Sequence, residues 1–523
     1  MKNFVQIILL ISVILFNNSL NAQVAPSIEW QKSLGGSYKD FGFSLQPATS
    51  GGYILAGMSQ SPNDGDVTGN HGSADYWVVK IGINGNIEWQ KCLGGSDSEI
   101  AFSIAQNNDN GFIVAGYSSS NDGDVSGNHG DEDYWIVRLN ENGNIIWQKS
   151  LGGTKFDRAN AAQQTVDGGF IVAGYSRSND GDVSGNHGLY DVWVVKLNED
   201  GNLEWQKSLG GTSDDAAWII RPVSDGGFIL AGYSESNDGD VTGNHGTSDF
   251  WIVKLGANGN LVWQKCFGGS DFDSAYDILQ VNDGGFIVVG SSGSSDGDLS
   301  GNQGELDYWI VKIDTIGDLQ WDGSLGGSDF DEAFSVKQTS DGGLIVAGLS
   351  FSSDGDVSEN NGGADYWVVK LNSYGSLVWQ KSLGGSDWDE GYSVQQSNDN
   401  GYVIIGCAFS NDGDISGNHG NTDIWTVKLS RDTITGIPSL STDIISLFPN
   451  PVQNQLNISL STQAEEYIVY VYNLQGKIIL LPITFTNFQV QLNTTSLAEG
   501  FYTIRIINNE TGRSEVGKFV KAQ

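Results

Sequence analysis

Cysteine is almost missing from this chain, with three among 523 residues: Cys92 and Cys266 at the same letter of two separate repeats, and Cys407 apart from both. Cysteines at one letter of different repeats lie too far apart to bridge, so no disulfide framework is expected and stability must come from elsewhere. Basic residues are scarce too. Lys and Arg total 26 against 63 Asp and Glu, a formal net charge of −37. That balance argues against nucleic acid or an anionic membrane as a partner and leaves cations as the natural counterpart. Long apolar runs are also lacking. The stretch Phe4 to Phe16 in "MKNFVQIILLISVILFNNSLNAQ" is too short to span a bilayer, and no later run approaches the required length. With one Lys ahead of it and small or polar residues up to Ala22, it reads as a signal peptide, residues 1–22.

What is plentiful is glycine, aromatic side chains and repetition. The 16 Trp, 22 Phe and 18 Tyr supply enough apolar surface to exclude an acidic disordered chain. The Trp of "EWQK" and its variants falls at Trp30, Trp89, Trp147, Trp205, Trp263, Trp321 and Trp379, and a "DGD" triplet recurs every 58 residues. A period of this length, β-branched and aromatic and without helical periodicity, signals a propeller or a solenoid. In the second unit four strands are predicted, at 102–107, 112–118, 133–140 and 145–153, with Asn-Gly-type turns between the first and last pairs. The chain begins its repeats with a lone fourth strand, 28–36, and the seventh unit stops after its third, 423–430. The N-terminal strand is therefore expected to complete the last blade, closing an all-β, seven-bladed β-propeller over residues 24–430 and removing exposed edges.

Each unit carries an acidic loop such as "DGDVSGNHGDED" from Asp122 to Asp133. Acids at positions 1, 3 and 12, a hydroxyl at 5 and a glycine at 6 follow the oxygen-ligand order of a calcium loop, in which short side chains converge on one ion. The candidate Ca2+ ligands are Asp64, Asp66 and Asp75; Asp122, Asp124 and Asp133; Asp180, Asp182 and Asp191; Asp238, Asp240 and Asp249; Asp296, Asp298 and Asp307; Asp354, Asp356 and Asp365; and Asp412, Asp414 and Asp423. Only the glycine fails once, at Glu359. Like-charged pairs at ~5 Å cost on the order of 1–3 kcal/mol each, and a dication removes that cost. The loops resemble the calcium-binding β-hairpin loops of integrin-type propellers and dockerin-like modules, and depart from the helical calcium hand in that strands flank them and the closing residue is Asp rather than bidentate Glu, which implies weak affinity. The same letters also build turns and Asx motifs without a metal; the carboxylate at position 12, for which a turn has no use, favours calcium.

All five histidines occupy position 8 of this loop, with Gln303 and Asn361 replacing two. Gln and Asn replace a hydrogen-bonding group and not a proton carrier, so these histidines are expected to hold the loop. The Lys or Arg of "VVK" is expected to pack its stem beside Trp and pair its head with carboxylates. The connection into each blade emerges on the same face as the acidic loop and carries Tyr38, Phe156, Phe272, Phe330 and Trp388, either as a platform for a glycan or peptide or as packing between blades. Repetition leaves no unique base beside a nucleophile, so the chain is not expected to be an enzyme. If it is one, the departures Gln303, Asp322 and Glu359 mark blades 5 and 6 as the place to look.

From 431 the repeat letters stop. A linker (431–445) leads to alternating segments that read as a small β-sandwich, 446–523. "FPNP", "VYNLQGK", "LAEGFYTIRI" and the terminal "KFVK" closely resemble, in this order, the type A C-terminal sorting domain of the Bacteroidetes type IX secretion system. The resemblance implies the secretion machinery as a partner, passage across the outer membrane, and a secreted or cell-surface location. The repeats look like those common in such exported proteins. The expected function is a calcium-stabilised ligand-binding or adhesion module, with a glycan or protein ligand on the acidic loop face. The alternatives are an extracellular enzyme acting on glycans and a structural surface-coat protein.

Overall fold

The structure, a computed structural model, describes residues 25–432, 446–449, 451–459, 467–473, 478–485, 489–508 and 514–522. The expected signal peptide and nearly all of the expected linker lie outside them. Internal contacts divide the chain into two units, Met1–Thr433 and Ile434–Gln523.

The first unit is a seven-bladed β-propeller of four-stranded antiparallel sheets. Blade 2 is typical: an inner strand Glu99–Gln106, then Phe112–Ser118 and Asp133–Leu139, and an outer strand Ile145–Leu151. The two middle strands are buried along their whole length, because each blade is covered on both faces by its neighbours; they read as continuous apolar runs rather than alternating ones. Blade 7 is completed by Ile28–Leu34, which pairs antiparallel with Asp423–Leu429 from Ile28 opposite Leu429 to Leu34 opposite Ile424. Trp425 Nε1 donates to Gln31 Oε1 at 2.9 Å across that pairing.

The core consists of one apolar cluster at each junction between blades. Trp193, Val195 and Phe170 of blade 3 pack with Tyr134, Ile136 and Ala115 of blade 2. The closing cluster mixes Leu55, Trp77 and Val79 of blade 1 with Val403, Ile405 and Ile424 of blade 7. The seven Trp residues that follow the closing acid (Trp77 to Trp425) are fully buried. Each donates its indole N–H to the outer strand at 2.8–3.2 Å, to Gln in six blades and to Asp322 in blade 5. Where Tyr precedes the Trp, its hydroxyl reaches the next blade's backbone, as from Tyr134 to Trp193 O at 2.8 Å. The "VVK" cations are buried and paired: Arg138 with Asp109 at 2.7 Å and Lys254 with Asp225 at 2.9 Å. Cys92, Cys266 and Cys407 are buried and free.

The predicted strands are found, with two differences. Inner strands begin earlier than their apolar letters, at an acid that is fully buried (Asp40, Glu99, Asp157, Asp215, Asp273, Asp331, Asp389). Every inner strand also carries a bulge after its third residue, as between Ala159 and Ala161. A bulge sets two residues against one on the partner strand and breaks the strict alternation of faces.

The second unit has a three-stranded sheet (Ser446–Phe448, Gln455–Ser459, Gln489–Asn493) and a four-stranded sheet in the order Ile478–Phe485, Tyr467–Tyr472, Gly500–Asn508, Ser514–Lys521. Leu456, Ile458, Val469, Ile504, Ile506 and Phe519 belong to a single core cluster.

Candidate functional site on the loop face

The "DGDV" turn is anchored by its apolar letter. Val67, Val125, Val183, Val241, Val357 and Ile415 are buried beneath the loop, which brings the flanking acids to the connection leading into the same blade. The glycine between the acids has φ +63° at Gly123, and a Cβ there would meet Gly94 O at 2.4 Å, so the close approach of two backbones requires glycine.

The structure gives the three acids of each loop three different partners. At position 1, Asp64, Asp122, Asp180, Asp238, Asp296, Asp354 and Asp412 each accept a backbone N–H from the incoming connection, such as Thr154 N to Asp180 Oδ1, at 2.7–3.0 Å. At position 3, Asp66, Asp124, Asp182, Asp240, Asp298, Asp356 and Asp414 face the first glycine N–H of that connection at the longer distance of 3.3–3.4 Å. At position 12, Asp75, Asp133, Asp191, Asp249, Asp307, Asp365 and Asp423 accept the backbone N–H of position 8 at 2.6–3.1 Å. The position 8 imidazole adds a second contact to the closing acid, His129 Nδ1 to Asp133 Oδ2 at 2.7 Å. The position 5 hydroxyl is taken by the outer-strand Gln, as Ser126 by Gln148. Among the described residues, no three His, Cys, Asp or Glu side chains are gathered as a metal set. The three carboxylates are instead spread over separate backbone N–H donors.

At least one carboxylate oxygen per blade is left over. The Oδ1 of all seven closing acids is buried without a hydrogen-bond partner. A Cβ on Gly152 would meet both Asp133 Oδ1 at 2.7 Å and Asp157 Oδ2 at 2.6 Å, so two buried carboxylates from adjacent blades flank that glycine. Burial pushes the Asp133 carboxyl up to about 6; contacts from His129 oppose this and the charge of Asp157 adds to it. Asp75, Asp249, Asp365 and Asp423 are likewise pushed up to about 6, chiefly by burial. The buried acid that opens each inner strand was missed in the sequence, where it looks like one more loop acid; its regular position before the first apolar letter was the available signal.

The aromatic residues of the connections divide. Tyr38 (53% exposed), Phe330 (41%) and Trp388 (52%) stand out from the face, while Phe156 and Phe272 are half-buried. Phe351 links two of the exposed rings, 6.4 Å from Phe330 and 5.3 Å from Trp388 between centroids, in edge-to-face contacts. Two of the letters that depart from the repeat, both in blade 5, have local roles. Asp322 takes the place of Gln, accepting from Trp309 Nε1 at 3.2 Å and from Ser300 N at 2.8 Å. Gln303 Nε2 donates to Asp356 Oδ2 of the next blade at 2.6 Å.

Comparison with known proteins gives the tail a clear relationship. Residues 446–522 match the family model of the secretion system C-terminal sorting domain. The chain is therefore a type IX secretion substrate directed to the cell surface or the extracellular space. It is 28% identical over 233 residues to the regulatory protein FlaEY of Caulobacter vibrioides, a match covering 40% of this chain and 24% of the length of that relative. Among solved structures, it is similar to PorZ, an essential bacterial surface component of the type IX secretion system of Porphyromonas gingivalis, at 12% identity and a TM-score of 0.24, over 90% of this chain and 69% of that one. It is also similar to puromycin hydrolase at 11% identity and a TM-score of 0.37, over 77% of this chain and 62% of that one. Among the described residues no helix is long and apolar enough to cross a membrane.

Proposed function

We propose that this exported propeller is a binding and adhesion module that holds glycans on its acidic loop face. The observation that carries this reading is the exposure of Tyr38, Phe330 and Trp388 on one rim of a molecule whose other repeated rings are largely buried. Flat exposed rings receive the C–H faces of sugars, and the surrounding carboxylates accept hydrogen bonds from hydroxyl groups. The local roles of Asp322 and Gln303 support a non-catalytic reading of blade 5. The test is retention on a glycan array of the exported chain and of a Phe330→Ala, Trp388→Ala variant. The variant is expected to lose the glycans held by the parent; equal retention, or none by the parent, refutes the reading.

Calcium stabilisation is a second reading, favoured by the unpartnered buried Oδ1 atoms of the seven closing acids. In it the ion sits at a blade junction, beside the closing acid and the next blade's opening acid, with backbone carbonyls and water completing a shell of 6–8 oxygens. This differs from the ligand set within one loop expected from spacing alone. Thermal unfolding in calcium and then in chelator tests it, and an unchanged midpoint removes it.

A further inference from the structure

The inner-strand bulge turns two consecutive side chains of each blade toward the central channel, and here the sevenfold repetition breaks down. The fourth letter supplies Phe43, Phe102, Trp218, Tyr276, Phe334 and Tyr392, while blade 3 has Asn160, whose amide donates to Ala217 O at 2.8 Å. Neighbouring rings run in an unbroken arc from Trp218 through Tyr276, Phe334, Tyr392 and Phe43 to Phe102, with centroids 5.1–5.8 Å apart. The arc lines a cavity of about 320 Å3 and is open at Asn160. That volume is in the range of small-molecule sites.

Three charged side chains line the same cavity. Arg221 Nη2 donates to Asp277 Oδ1 at 2.7 Å, and Lys337 Nζ lies 3.2 Å from Asp277 Oδ2. Asp277 also accepts the Val336 N–H of the next blade at 3.0 Å, a bridge that Ser supplies in other blades, as from Ser335 to Val394 N. Asp277 thus has a structural role, but that role needs neither cation. Burial raises its carboxyl, and the charges of Arg221 and Lys337 more than reverse this, so it stays ionised. Two cations against one anion leave the cluster one positive charge in excess, within a chain of net charge −37. Arg221 Nε and Trp218 Nε1 are buried donors without partners. Glu332 and Glu390 meet the hydroxyls of Tyr276 and Tyr392 from the second letter of their strands, whereas Arg221 and Lys337 stand at the seventh. The cationic end therefore lies toward the short turns and away from the acidic loops. The acids of those turns, such as Asp225, Asp283 and Asp341, are paired with the "VVK" lysines and do little to repel an anion.

We propose that the channel binds a small ring-bearing monocarboxylate, its flat body against the aromatic arc and its carboxylate at Arg221 and Lys337. A single excess charge matches a carboxylate better than a dianionic phosphate, and the guanidinium fork suits its planar oxygens. The site is independent of the loop-face reading. Titration calorimetry of the full chain with 2-naphthoate and its neutral amide, 2-naphthamide, tests it. The carboxylate is expected to bind at least tenfold more tightly, and Lys337→Met, which leaves the Arg221–Asp277 pair intact, to erase that preference while amide binding stays. The paired change Arg221→Met, Asp277→Asn leaves Lys337 as the one excess positive charge and should weaken the preference without erasing it, and Trp388→Ala should leave both affinities unchanged. Equal affinity for acid and amide, no binding of the acid, or an undiminished preference in the Lys337→Met variant overturns the proposal.

Discussion

Replacing a closing acid by its amide separates the two states that the blade junction can occupy. At neutral pH without metal, Asp133 is buried, ionised and beside Asp157, with its carboxyl pushed up to about 6. Against an ordinary value near 3.9, two units correspond to about 3 kcal/mol of destabilisation as a ceiling, and screening roughly halves it. Asp133→Asn keeps a carbonyl oxygen for the His129 N–H and turns an amide N–H2 toward the carboxylate of Asp157. In chelator the variant is expected to gain about 1–2 kcal/mol. For a unit of roughly 400 residues, unfolding entropy is about 0.8 kcal/mol/K, so the midpoint should rise by about 1–2 °C. The same change in all seven blades, at sites far enough apart to add, should raise it by about 10 °C. In calcium the gain is largely cancelled, because each ion held at ten times its Kd contributes about 1.4 kcal/mol that the amide forfeits. Differential scanning calorimetry at pH 7.5 reads both. A fall in midpoint in chelator would refute the account of strained buried carboxylates, and a rise of equal size in calcium would refute the metal.

Two further outcomes are expected. A carboxyl whose folded value lies above its unfolded one takes up a proton more readily when folded, so stability rises as pH falls between about 6 and 4. Asp133 is faced by His129 and Asp157; in chelator the midpoint should climb from pH 7.5 to 5.5, and a fall over that interval would contradict the burial of these acids. Leu34 closes the ring from the N-terminal strand as Leu209 ends the outer strand of blade 3, and both are buried; Leu34→Ala and Leu209→Ala should each cost about 2–4 kcal/mol in denaturant unfolding, and a silent Leu34→Ala would mean that this strand does not seal the ring.

The ring was legible because its evidence is redundant. The DGD letters repeat every 58 residues and the Trp letters every 58 with one spacing of 59, the middle strands are mostly apolar, and the unpaired fourth strand at 28–36 has an unpaired partner at 423–430. The acids were harder, because spacing records which residues share a loop and not which hydrogen-bond donors they meet. Asp122, Asp124 and Asp133 sit in calcium order, yet Ser96, Gly94 and His129 each present an N–H to one of them. Those donors come from two connections, only one of which lies in the loop, and no pattern within the loop could show the other.

The channel was hidden for a different reason. Read as a strictly alternating strand, "DAAWIIRP" places Trp218 and Arg221 on opposite faces, since three positions separate them. The bulge between Ala217 and Ile219 adds one residue and brings them to the same side, and it does so in every blade. Selection on the repeat preserves the letters that hold blades together, and these are equal sevenfold. The letters that the bulge turns inward carry no such duty at most positions. They are free to differ, and they do: Asn160 among rings, Asp277 where four blades have Ser, and Arg221 and Lys337 where three have Gln. In a molecule built from copies, one specific ligand can be chosen only where the copies disagree, and the copies disagree along that inner wall.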